Sequence, residues 1–547
     1  WETVKRHFRE MNKDIQAEDF TVVGIGDMSG DVFGNGMLLS RHIKLIAAFD
    51  HRDIFLDPNP VPAVSFEERK RMFALPRSSW ADYDKSKISA GGGIFSRSAK
   101  KIPLSPEVKA RFQLTQDEIE PSVLMNALLK HDADLLWFGG IGTFVKAAAE
   151  SHQQAGDRAN DAVRADANQL RAKVIGEGAN LGMTQAARIE FARGGGRINT
   201  DAIDNSAGVD TSDHEVNLKI LLNGAIGRGE LKAADRDPLL VRMTDEVGEL
   251  VLRDNYLQSQ ALSVAESHAR DDVEAHGRMM RALEKTGRLN RAVEGLPSDE
   301  ALKQLTARGA GLTRPELAVL LAYAKLELFD EINASKLPDD PYFERSLIEY
   351  FPTEVEKYTG AMQAHRLRRE IVGTVLTNSL INLCGPAFMQ RMREASGAAS
   401  ADIVRAAVVA QGIFGVGDLV RRIEALDGKV EARFQIDMLA ILVRHMQRAT
   451  LWALRNAGTG PIAAAIEASG GAVKALRGTF ASLVSPAEAK EIETQITAYT
   501  AAKVPLDVAE DVSVLASAAT VPDIARLARA GNADLDFVAG AFFATGR

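Results

Sequence analysis

The stretch TVVGIGDMSGDVFGNG, residues 21–36, sets five glycines in sixteen positions directly behind an apolar, β-branched run. Glycine weakens the interiors of strands and helices alike. A strand followed at once by so many glycines therefore describes either a loose loop or a backbone that must approach a bound phosphate closely. Gly24 and Gly26 stand in the first two positions of a G-x-G-x-x-G turn. The first permits a tight turn, and the second lets N–H groups reach a pyrophosphate at a helix N-terminus. Asp27 and Met28 continue the turn, Ser29 takes the third glycine's place, and Gly30 and Gly34 follow along the expected helix. The next apolar run ends in Asp50, 24 residues after Gly26, where an acid accepts hydrogen bonds from an adenosine ribose. An acid there favours NAD over NADP, while neighbouring Arg52 keeps NADP open.

Apolar runs at 20–26, 43–50, 133–140, 172–178 and 197–203 read as strands, and 65–75 and 107–112 as helices. Proline and glycine make 57–62 and 89–96 loops. Strands alternating with helices predict an α/β, doubly wound, mostly parallel sheet. In such sheets ligands bind beyond the carboxyl ends of the strands. The loops there hold Gly139 and Gly140, Asn180, and Asn205, and asparagine offers a nicotinamide carboxamide both a donor and an acceptor. A glycine-rich turn without a ligand accounts for any one of these loops, but less well for four converging on one crevice.

From about residue 213 the strand signal gives way to helical periodicity. Residues 312–332 are the clearest case: Thr313 and Glu316 form a capping box, Pro315 sits in the first turn, and Leu317, Leu320, Leu321, Ala324 and Leu328 share one face. The expected division is a Rossmann-like nucleotide-binding domain at 1–229 and a large all-α domain at 230–547. A chain of 547 residues is long enough for several domains. A net charge of -8 argues against a nucleic-acid partner, and no apolar run approaches the roughly 18 residues of a membrane span. One cysteine, Cys384, excludes an internal disulfide and suits a reducing compartment. The first residue is Trp1, with no signal pattern after it, so the chain is expected to be a piece of a longer one.

The strings KVIGEGANLGMTQAARIEF and INTDAIDNSAGVDTSDHE resemble the coenzyme-domain signature of glutamate dehydrogenases. With VKRHFREM, LPRSSWADYD, SRSAKKIPLSPEV and LTRPELAVLLAYAK, the chain resembles the large-subunit class of bacterial NAD-specific glutamate dehydrogenases over essentially its whole length. The resemblance implies NAD as cofactor, with Gly24, Gly26, Asp27 and Met28 at the pyrophosphate, Asp50 at the adenosine ribose, and Asn180 and Asn205 near the nicotinamide. Ser212 would bind the side-chain carboxylate of L-glutamate, which is converted to 2-oxoglutarate and ammonia. Ala207 stands where the family has a glycine. The catalytic lysine and aspartate are expected upstream of Trp1, and the whole protein is expected to be a cytoplasmic homo-oligomer without nucleic-acid or membrane partners.

Other patterns point nowhere comparable. DHEVN at 213–217 begins like the zinc motif H-E-x-x-H, but Leu218 replaces the second histidine, so no metal site is expected. Arg97, Lys100 and Lys101 read as solvated surface, Cys384 as a buried hydrophobe, and His42 and His51 as packing or ribose-edge residues. Another amino-acid dehydrogenase of the same superfamily, or a non-catalytic NAD-binding regulator or scaffold, are the alternative functions.

Overall fold

The computed structural model describes residues 1–545. The first apolar run forms β1 (Phe20–Ile25), whose alternation sends Phe20 and Val22 into the core on one side of the sheet and Val23 and Ile25 into the core on the other. β2 (Ile43–Phe49) lies parallel beside it. The chain then reverses through β3 (Asp53–Leu56) and β4 (Gly93–Ser96), both antiparallel. β5 (Leu135–Phe138) and β6 (Val174–Glu177) return to the far side of β1 and run parallel to it. The order is β6-β5-β1-β2-β3-β4. Because β1 has its sequence successor β2 on one side and β5 on the other, the connections diverge between β1 and β5. The loops after those two strands open apart there and leave a crevice.

Helices flank the sheet: α1 (Glu2–Arg9), α2 (Asp31–Gly36), α3 (Pro62–Ala74), α4 (Pro106–Phe112) and α5 (Pro121–Leu129). The last three begin with proline, whose missing N–H costs nothing in a first turn. Two elements differ from the sequence expectation. Residues 197–203 are not a strand: Arg197 makes a single bridge to Val174, and a one-turn helix, Asp201–Asp204, follows. Side chains replace the ladder here, since the Asp204 carboxylate accepts from the Glu177 N–H at 2.9 Å and from Asn199 Nδ2 at 2.8 Å. Residues 89–96 are not wholly loop either. Their last four form β4, the edge strand, against β3, and both strands are too short to show a period of two.

Beyond Glu177 the described residues add no strand to the sheet. α6 (Ser206–Gly227), α7 (Thr244–Ser267), α8 (Arg314–Asn333) and α9 (Arg368–Cys384) belong to a helical assembly whose core extends from Ile203 to Ala539. The Thr313–Glu316 capping box forms, and the five expected apolar positions of α8 are all buried. Arg314, only 2% exposed, joins sheet to helices by donating to Asn199 Oδ1, to the Ser259 carbonyl at 2.9 Å and to Ser263 Oγ at 3.0 Å. No single helix among the described residues is long and apolar enough to cross a membrane.

Candidate functional site

The glycines behind β1 first of all make room for Phe33. A Cβ on Gly24 would stand 2.4 Å from Phe33 Cε2, one on Gly26 2.8 Å from Phe33 Cβ, and one on Gly139 2.7 Å from it. The Phe33 ring thus wedges α2 against the ends of β1 and β5. Gly24 lies inside β1 rather than in the turn, and packing alone requires it. Gly26 carries a second constraint, a φ of 143°. Its carbonyl accepts from Trp80 Nε1 at 3.0 Å.

The turn itself is closed by Asp27. Its Oδ1 accepts from the N–H groups of Ser29 and Gly30, both at 2.9 Å, and from Ser29 Oγ at 2.6 Å. The donors expected to face a pyrophosphate are therefore already met by a carboxylate of the chain. Met28 is fully buried in the core with Phe33, so only its backbone borders the turn. A Cβ on Gly30 would meet nothing closer than 3.5 Å, so glycine is not demanded there.

Asp50 sits at the carboxyl end of β2, 1% exposed. Its Oδ1 accepts from the N–H groups of Arg52 and Asp53, each at 2.7 Å, which shapes the reversal into β3. Its Oδ2 is buried without any partner. Asp27, Asp50 and His51 each bring one donor atom to within 4.8 Å of the others, so folding unites the glycine turn with the end of β2. Arg97 differs from the solvated residue expected. It is half-buried and donates Nη1 to the Asp50 carbonyl at 3.1 Å. Lys101 does lie outside, paired with Glu118 at 3.1 Å.

The loops after β5 and β6 complete the edge. Gly140 has a φ of 137°, and a Cβ there would meet nothing within 4 Å. Sequence reasoning passed over Ile141 and Leu181, both exposed with positive φ, 66° and 65°. A β-branched residue in that region is strained, and the only hint in the sequence is the glycine on either side of Ile141. Thr143 Oγ1 donates to the Leu181 carbonyl at 2.8 Å and ties the two loops. Buried Glu177 and Arg188 pair at 2.7 Å beneath them. Asn205 Nδ2 donates to Asn180 Oδ1 at 3.1 Å. Ala207 already lies in α6, where alanine needs no special backbone. Ser212 stands further along α6, exposed, its hydroxyl 3.4 Å from the Gly208 carbonyl, and no hydrogen bond joins it to the asparagines. Cys384 is buried, which pushes its thiol well up and leaves it unreactive.

Two family models match this chain: "Bacterial NAD-glutamate dehydrogenase, catalytic domain" over residues 1–265 and "Glutamate dehydrogenase, C-terminal" over 309–547. An NAD-specific glutamate dehydrogenase of Pseudomonas aeruginosa is 52% identical over 457 residues, 83% of this chain and 28% of the relative. Its counterpart in Halomonas elongata is 49% identical over the same shares. That of Mycobacterium tuberculosis is 47% identical over 100% of this chain and 34% of its own length. The chain therefore spans about a third of the curated relatives it matches. With both models and all three relatives agreeing, and one relative matched over 100% of the chain, the chain belongs to the bacterial NAD-glutamate dehydrogenase family.

Proposed function

We propose that this chain supplies the NAD-binding part of a glutamate dehydrogenase, with the dinucleotide lying across the carboxyl edge of a Rossmann-like, doubly wound sheet. The observation that carries it is Asp50 Oδ2, a buried acceptor with no partner at the end of β2. A ribose hydroxyl supplies the donor it lacks, and leaving such an oxygen unpaired costs about 1–3 kcal/mol. The open space at Gly140 fits the same ligand. Asp27 fits it less directly: a phosphate at this turn requires the Asp27 carboxylate to rotate away from Ser29 and Gly30. Residues 1–229 form the coenzyme unit in this proposal and 230–547 the helical unit, although Leu218, Leu221 and Leu222 of α6 already pack into the helical core.

Bound at this edge, NAD would supply the hydride acceptor for oxidation of glutamate at its α-carbon, the overall conversion giving 2-oxoglutarate and ammonia. Asn180 and Asn205 orient the nicotinamide end, and Ser212 Oγ donates to glutamate's side-chain carboxylate. We assign the lysine and carboxylate that move protons to the portion of the longer relatives outside this chain, so the chain alone should bind NADH yet turn over no glutamate. The buried Cys384 suits a reducing, cytoplasmic setting, and homo-oligomerisation rests on the family resemblance.

NADH fluorescence titrations of wild type and Asp50→Ala test the site, with weaker binding expected in the variant and NADPH as the comparison ligand. Equal affinity of both proteins for NADH would remove Asp50 from the ribose. Glutamate-dependent NADH formation by the chain alone would show that the proton-transfer groups lie within residues 1–547.

A further inference from the structure

A second cluster lies between α6 and α7. Asp210 and His214 are one turn apart on α6, and Asp254 faces them from α7. One donor atom from each lies within 4.8 Å of the other two. His214 is 2% exposed, its Nδ1 has no partner, and its Nε2 stands 3.8 Å from Asp210 Oδ1, too far for a hydrogen bond. Its ring is held flat on Tyr350, with centroids 4.4 Å apart and planes 14° from parallel. A buried imidazole with a fixed ring and unused nitrogens costs stability unless something accepts its lone pair.

The surroundings add negative charge. A cavity of about 190 Å³ borders the cluster, walled in part by Asp210, Asp213, Asp254, Glu370, Asn217 and Tyr350. The cation facing Asp210 and Asp254 is Lys325 of α8, whose ammonium burial lowers to about 8. Arg253 adds a second positive charge on the Asp254 side, Asp213 a further negative one beside Asp210, and the Asp210 and Asp254 carboxyl groups are themselves hydrogen-bonded to each other.

We propose that Asp210, His214 and Asp254 form a binding site for one divalent cation of the zinc and manganese class, with cavity water completing the coordination. One imidazole and two carboxylates suit these ions, and an i,i+4 pair on one helix with a third ligand from a neighbour gives three donors on one side of the ion. Such an ion would pin α6 to α7 while leaving the exposed face that carries Ser212 free. Nucleotide binding plays no part in it.

The test uses the 547-residue chain, stripped with a chelator and titrated calorimetrically with Zn²⁺ and, separately, Mn²⁺. We expect one equivalent to bind and the melting temperature to rise with metal. Asp254→Asn and His214→Gln should each weaken binding by about tenfold or more. Lys325→Met, which removes the competing cation, should tighten it. Absence of a saturable equivalent in wild type overturns the proposal whether or not the variants fold. So does equal binding by folded wild type, Asp254→Asn and His214→Gln, which would place the ion on other side chains. Unchanged or weaker affinity in folded Lys325→Met would likewise locate the ion away from this cluster.

Discussion

Asn205 Nδ2 donates to Asn180 Oδ1 across 3.1 Å, joining two loops whose asparagines are 25 residues apart in sequence. The bond uses one donor of Asn205 and the acceptor of Asn180. Asn205 Oδ1, the second Asn205 N–H and both Asn180 N–H groups remain, an acceptor and donors of the kinds that complement a primary carboxamide. The proposed nicotinamide site would thus use the two side chains as one hydrogen-bonded pair.

Asn180→Ala and Asn205→Ala should each weaken NADH binding by about 1–2 kcal/mol. Because the two share a hydrogen bond, the double variant should depart from the sum of the singles by at least about 0.5 kcal/mol. Fluorescence titration of all four proteins measures this directly. Strict additivity would mean that the pair does not act together on the ligand.

Asp27 occupies the N–H groups of Ser29 and Gly30, so its removal should act in two opposite directions. Asp27→Ala should cost about 1 kcal/mol of stability, as loss of a capping side chain does. It should also tighten NADH binding several-fold, because the donors are freed and a negative charge leaves the phosphate's path. Thermal melts and titrations on one preparation separate the effects. Weaker NADH binding in a folded variant would instead give the Asp27 side chain a direct role in holding the ligand.

Gly24→Ala places a methyl 2.4 Å from the Phe33 ring and should destabilise the chain by about 1–3 kcal/mol. Phe33→Leu added to it should recover part of that loss, since the clash is with the ring rather than with backbone. Chemical denaturation of the single and double variants decides it. Full additivity would show that Gly24 is needed for backbone reasons.

Glu10, at the end of α1, accepts from Arg197 Nη1 at 2.6 Å and from Ser263 Oγ. Burial alone would raise its carboxyl, but Arg314, His7, the Ser263 hydrogen bond and Arg197 together outweigh it and bring it from 4.5 down to about 2. A group whose pKa is lower folded than unfolded adds stability above its unfolded value and loses it as pH falls toward the folded one. Glu10→Gln should therefore cost about 1–3 kcal/mol at neutral pH and flatten the decline in stability between pH 5 and about pH 2. Denaturant melts across that range check both the size and the slope.

Local patterning determined much of this protein. β1, β2, β5 and β6 are short apolar runs that any parallel sheet would bury, and α8 announces itself through Thr313, Pro315 and its leucine face, because capping and amphipathicity act within a few residues of chain. The glycines at 24, 26 and 139 are visible too, but not what they serve. Only packing shows that they accommodate Phe33, a residue that no spacing rule connects to all three. β3 and β4 stayed hidden because four-residue strands are held by neighbours rather than by pattern. Residues 197–203 resembled a strand until the side chains of Asn199 and Asp204 took over the hydrogen bonds a ladder would make. Whether Asp50 ends with a spare buried oxygen, and whether His214 meets Asp254 from a helix forty residues away in sequence, depend on which elements come to lie together. Those relations are long-range, and only the tertiary structure decides them.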